Sequence, residues 1–81
     1  MIPEHAYAVL TRDMPDHGLA AGDVGVVIHI HAQPNGDAPV GYMLELFTVD
    51  GRSIGEVSVP ADAVRAVGAT DRVQVRPVAA E

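Results

Sequence analysis

The sequence predicts an all-β domain, a small barrel of five strands with one short 3₁₀ turn and a β-prone C-terminal tail. Three observations carry that expectation. Short segments alternate in polarity with period two and are separated by Gly, Pro, Asn and Asp turn signals, as in sandwiches and small barrels. No apolar pattern of helical period is long enough for an ordinary helix. The 81 residues are 48% hydrophobic, which is enough apolar surface to offset chain entropy in one domain of this size. The expected division is a barrel over residues 1–67 and a tail over 68–81, the tail being a candidate extra strand.

The first strand is predicted over residues 6–12, where Tyr7, Val9 and Thr11 alternate with Ala8 and Leu10. A long loop follows to Asp23, punctuated by Pro15, Gly18 and Gly22. The second strand is predicted over residues 24–31, with Val24, Val26, Ile28 and Ile30 on one face and Gly25, Val27, His29 and His31 on the other. Pro34 and Asn35-Gly36 lie in residues 32–40 and supply the positive-φ positions of a reversal, so the next strand should pair antiparallel.

That third strand is predicted over residues 41–49, with Tyr42, Leu44 and Leu46 inward and Met43, Glu45 and Phe47 outward. Asp50-Gly51 is a second hairpin turn. A fourth strand, residues 53–59, points Val57 and Val59 inward and ends at Pro60, which cannot donate to a ladder. Residues 60–63 read as a single 3₁₀ turn and residues 64–67 as a short closing strand. Four strands on tight turns, a one-turn helix and a short fifth strand is the order of an SH3-like barrel, which hides its sheet edges by curling.

The residues that carry a family resemblance are His17-Gly18-Leu19, then Gly22-Asp23-Val24-Gly25-Val26-Val27, Tyr42-x-Leu-Glu-Leu-Phe47, Asp50-Gly51-Arg52 and Val64-Arg65. With them the chain resembles a bacterial family of short stand-alone SH3-like proteins whose domain has no known function, over residues 6–67. The resemblance implies the fold and no activity; some members of that family are associated with gene pairs resembling toxin and antitoxin. The Gly-Asp-x-Gly-x-Val core also resembles KOW modules, but basic loop residues are missing and histidines occupy the second strand.

Charge narrows the partners. Eleven acidic groups face five arginines, there is no lysine, and the formal net charge is −6. Phosphate backbones are repelled overall. Residues 1–63 hold Arg12 and Arg52 against nine carboxylates, whereas 64–81 hold Arg65, Arg72 and Arg76 against Asp71 and Glu81. The body is acidic and the tail slightly basic. With no cysteine there is no disulfide, thiolate metal site or cysteine nucleophile, which fits a reducing cytoplasm. The first residues show neither a signal peptide nor a membrane span, so a cytoplasmic location is expected.

The chemical constellations reduce to ordinary structural roles. His29 and His31 have the period-two spacing that puts two imidazoles on one face, but a zinc site needs a third protein ligand and only Glu45 or Met43 is near by parity. Asp13, Asp16, His17 and Asp23 crowd one loop without EF-hand spacing, and Asp23 reads as a turn anchor. Gly18, Gly22 and Gly25 precede no helix, and no lysine reaches a phosphate. Ser53 and Ser58 have no glycine-rich elbow. A chain this small also offers little room for a substrate pocket. No catalytic residue and no cofactor is expected.

The remaining surface is the outward face of strands two and three, with Val27, His29, Met43, Glu45 and Phe47 as candidate protein-binding residues. The leading expectation is a non-enzymatic interaction module, an antitoxin-like or regulatory partner of a neighbouring gene product, with a homodimer as a further form of association. One alternative is a KOW-like nucleic-acid binder using Arg12, Arg52, Arg72 and Arg76. The other is a metal or pH sensor built on His29 and His31.

Overall fold

The computed structural model describes residues 1–36 and 38–78; position 37 in the predicted reversal and positions 79–81 of the tail lie outside the described residues. Its strands are β1 (Tyr7–Leu10), β2 (Val24–His31), β3 (Gly41–Phe47), β4 (Ser53–Pro60) and β5 (Val64–Ala66), all antiparallel in one sheet of order β4-β3-β2-β1-β5. The element order matches the expectation, but the sheet is open: β4 and β5 are its two edges and do not pair with each other. Two single-turn 3₁₀ segments are present rather than one, η1 (Pro15–His17) and η2 (Ala61–Ala63). Pro15 starts η1 with its preset φ, and Gly18 ends it in the left-handed region at φ 69°, donating its N–H to the Pro15 carbonyl.

The core lies on one face of the sheet. Ala8 and Leu10 of β1, Val27 of β2, Tyr42 and Leu44 of β3, Val59 of β4 and Val64 of β5 are buried together, with Ile2 laid across them. The η2 turn stands at the end of this face. Its Ala61 N–H bonds to the Val40 carbonyl and its Ala63 carbonyl accepts the Thr11 N–H, so it ties the start of β3 to the end of β1. Ile2 is fixed by its own N–H, which donates to the Tyr42 hydroxyl at 3.1 Å. Because the core packs against one face of the sheet, the strands keep the period-two alternation that made them legible.

The ladder has two irregularities, one opposite the end of β3 at Ile54 and one in β2 that redirects the alternation. Val27 pairs with Leu44 but His29 pairs with Met43, so Ile28 is an extra residue, a β-bulge. Before the bulge, Gly25 and Val27 face the core; after it, Ile30 does, opposite Tyr42. Val27 is therefore completely buried, 0% exposed, and is not on the outward face where the unbroken alternation puts it. A bulge shifts parity by one residue, and nothing in the run VGVVIHIH marks its position.

The tail forms no strand among its described residues. Residues 68–71 make a turn in which the Asp71 N–H bonds to the Gly68 carbonyl, and the chain then runs on without joining the sheet ladder.

Candidate functional site

Cross-strand register sorts the uncovered face into three bands. At one end His29, Met43 and Ser58 lie in register across β2, β3 and β4, with His31 beside them. The His29 and His31 rings meet edge to face, 5.1 Å apart, and His31 Nε2 lies 3.0 Å from the Ser58 hydroxyl. No group of three or more His, Asp or Glu side chains among the described residues is placed to hold a metal ion. The two histidines sit together as their spacing predicts.

The middle band is Tyr7, Val26, Glu45 and Glu56, one from each of β1, β2, β3 and β4. Two carboxylates in register on neighbouring strands make it acidic. The third band holds Phe47, Val24, Val9 and Arg65. Phe47 and Val24 are 43% and 44% exposed, and Tyr7 beside them is 62% exposed. The outward aromatic and acid of β3 are where the sequence placed them. Tyr7 and Val24 were missed as members of this surface because their exposure follows from the parity of β1 and β2. Gly25, an inward position with no side chain to bury, was the available clue that its neighbours point out.

The tail passes over the third band and is clamped at two points. Arg65 on β5 donates two hydrogen bonds to Asp71, Nη1 to Oδ2 at 2.9 Å and Nη2 to Oδ1 at 2.7 Å, and Asp71 Oδ2 also accepts the Gly68 N–H at 2.6 Å. These donors hold the Asp71 carboxyl down at about 2, the arginine contributing most. Farther on, Arg76 Nε donates to Asp23 Oδ1 at 2.8 Å, and Arg76 Nη2 donates both to Asp23 Oδ2 at 2.7 Å and to the Gly18 carbonyl at 2.9 Å. The Arg76 fork holds the Asp23 carboxyl below the usual aspartate range, with help from the Ala20 N–H.

Between the clamps the chain bridges an open groove of about 1000 Å³, walled on the sheet side by Val9, Val24, Leu19 and Phe47. That is more space than the chain length suggested. It arises because the strap, residues 72–78, stands off the sheet and forms the opposite wall. Val73 and Val75 of this wall remain 92% and 77% exposed.

The candidate cationic residues are dispersed. Arg12 pairs with Asp62 at 3.2 Å, Arg65 with Asp71 and Arg76 with Asp23. Arg52 and Arg72 make no ion pair among the described residues, and they lie on the β3–β4 turn and the tail respectively. Of the set Arg12, Arg52, Arg72 and Arg76, Arg12 and Arg76 are thus paired with aspartates. Asp23 is the turn anchor its loop position predicts, accepting the Ala20 N–H at 2.9 Å, but its second partner lies 53 residues away and had no local signal.

Among known proteins, a family model described as "Domain of unknown function (DUF4926)" matches residues 4–66. The match contains all five strands, Gly18 and Asp23, and ends before the tail. No curated protein and no solved structure matches the chain significantly.

Proposed function

The chain belongs to this DUF4926 family of unknown function, and we propose that it is a non-enzymatic protein-interaction module, an antitoxin-like or regulatory partner of a neighbouring gene product, that docks through the uncovered sheet face. The observation that carries this reading is the exposed cluster of Tyr7, Val24 and Phe47 beside an apolar groove on a body this small. Contiguous apolar surface on a small domain is costly to leave in water and marks contact sites far more often than scattered single residues do.

The contact residues on this reading are Phe47, Val24 and Tyr7, flanked by Met43, Glu45 and His29; Val27 drops out because it is core. The strand order, in which the last strand returns to pair with the first, supports an SH3-like ancestry for the sheet. The surplus of carboxylates and the pairing of Arg12, Arg65 and Arg76 with aspartates favour a protein partner over a phosphate backbone. A cytoplasmic setting suits a cysteine-free chain, and no helix among the described residues is long and apolar enough to cross a membrane.

Co-expression with the product of the adjacent gene, followed by size-exclusion chromatography, tests the proposal. A stable complex that Phe47→Asp dissolves supports it. Absence of a complex, together with an unchanged oligomeric state in Phe47→Asp, overturns it.

A further inference from the structure

The Arg76 contact differs from an ordinary surface ion pair. The acceptor is built by the body without help from the tail: the Asp23 carbonyl accepts the Leu10 N–H at the mouth of the β1–β2 hairpin, and the Asp23 carboxylate accepts the Ala20 N–H. With Arg76 in place the Asp23 side chain is 16% exposed. The third acceptor, the Gly18 carbonyl, is set by the left-handed residue that ends η1. Two carboxylate oxygens and one carbonyl thus converge on one guanidinium in a fixed arrangement, the two-point geometry that selects arginine over lysine.

The donor side is built differently. Past the Gly68–Asp71 turn no tail residue makes a backbone hydrogen bond to the body among the described residues, so the strap is held by side chains alone. Gln74 approaches the position of Gly22, and Arg76 reaches Asp23, while Val73 and Val75 stay 92% and 77% exposed even though they border the groove. A segment that buries so little of its apolar side chains above an apolar groove is a replaceable occupant.

We propose that Asp23 and the Gly18 carbonyl form an arginine-recognition site for an extended, basic segment of a partner protein, and that Arg76 fills it in cis as a tethered stand-in. The inference rests on the protein-interaction reading above and names the chemistry of its partner. Charge complementarity selects the occupant: residues 1–63 carry nine carboxylates against Arg12 and Arg52, and Asp13 adds to the field that the guanidinium meets. The incoming arginine takes the Asp23 fork, and its apolar neighbours enter the groove beside Val9, Leu19, Val24 and Phe47, which the chain's own strap leaves open. The tail then lowers the apparent affinity for any such segment by the fraction of time that it occupies the site.

The test uses the full-length chain and a fluorescein-labelled synthetic peptide of the tail, Arg72–Val78, added in trans. Anisotropy titration should show saturable binding to the Arg76→Ala chain and binding to the wild type weaker by about tenfold or more, because the wild-type site is already filled. Replacing the arginine at position 76 of the peptide by neutral citrulline should abolish binding, a control that leaves the protein untouched. Asp23→Asn in the Arg76→Ala background should do the same, with circular dichroism reporting that the sheet is retained. Absence of saturable binding to the Arg76→Ala chain, or binding that citrulline leaves unchanged, overturns the site. Sedimentation of the wild type supplies the other occupant: a dimer abolished by Asp23→Asn would assign the site to the tail of a second copy and overturn the assignment to a foreign segment. None of these readouts needs the natural partner, so failure of the gene-neighbour experiment and failure of this one are distinguishable.

Discussion

Asp23 and Arg76, 53 residues apart, are joined by a two-point hydrogen bond of 2.8 and 2.7 Å that fastens the end of the chain to the root of the first hairpin. It is the distal of two clamps; the proximal one, Arg65 with Asp71, is also bidentate but engages end-on through Nη1 and Nη2, where Arg76 uses Nε and Nη2. Together they turn a segment that would otherwise leave the domain into the outer wall of a groove. The sheet supplies the apolar surface, and the clamps decide how much of it the tail stands over.

Both clamps depend on ionised aspartates, which gives the strap an acid limit. Asp71 is lowered from 3.8 to about 2 by Arg65 and the Gly68 N–H, and Asp23 is lowered by Arg76. A depressed carboxyl contributes its stabilisation above its ordinary value and loses it as pH falls through the folded value. The tail should therefore stay docked at pH 5 and detach between pH ~4 and pH ~2. The guanidinium Nη–H resonances of Arg65 and the Nε–H resonance of Arg76 should each move toward free-arginine positions over that range. Resonances that stay in place down to pH ~2 would show that the clamps do not hold the strap.

Val24 and Val27, three residues apart on β2, test which face the strand presents to the core ahead of the bulge at Ile28. Val27 is fully buried and Val24 is half-exposed on the opposite face. Replacing valine by threonine keeps the shape and adds a hydroxyl, which costs about 1–3 kcal/mol where it finds no partner and little where water reaches it. Val27→Thr should lower the urea-unfolding free energy by that amount, and Val24→Thr should leave it within about 0.5 kcal/mol. Equal effects at the two positions would mean that the strand is in a different register.

The contrast also marks how far the sequence could be read. β3 and β4 were legible because alternation runs unbroken through Tyr42, Leu44 and Leu46, and Asp50-Gly51 fixes the turn between them, with Gly51 at φ 88°. Val27 was misplaced because nothing in the composition around Ile28, between Val27 and His29, marks a bulge. The openness of the sheet depends on whether β4 meets β5, a long-range relation that alternation does not encode. Within the candidate site, Phe47, Glu45, Met43 and His29 were readable from parity. The Asp23–Arg76 and Arg65–Asp71 clamps were not, since pairings between a loop or strand and a tail leave no periodic trace.

Gly41, at the start of β3, is a close-approach position. A methyl group there would lie 2.5 Å from the Val59 carbonyl oxygen, on the backbone of the neighbouring strand, which cannot rotate away. Gly41→Ala must push β3 and β4 apart where Gly41 pairs with Pro60. A loss of about 1–3 kcal/mol in chemical denaturation is expected. Gly36→Ala, whose added methyl meets open space but sits at φ 80°, should cost no more than about 1 kcal/mol. The reverse ranking would mean that β3 and β4 are not packed at this distance.

Tyr42 is the one buried side chain in the core cluster that carries a hydroxyl, and its oxygen accepts the Ile2 N–H at 3.1 Å across 40 residues of chain. Tyr42→Phe removes the acceptor while keeping the ring, so the Ile2 N–H is left in an apolar setting without a partner. A buried donor orphaned in this way costs about 1–3 kcal/mol, more than the net worth of the hydrogen bond itself. The loss should be local as well as global. The Ile2 amide should exchange with solvent at least tenfold faster in Tyr42→Phe, which corresponds to about 1.4 kcal/mol, while the Leu44 amide in β3 follows only the change in global unfolding. If the Ile2 exchange rate is unchanged, the N-terminal segment is held by the packing of the Ile2 side chain and not by this hydrogen bond.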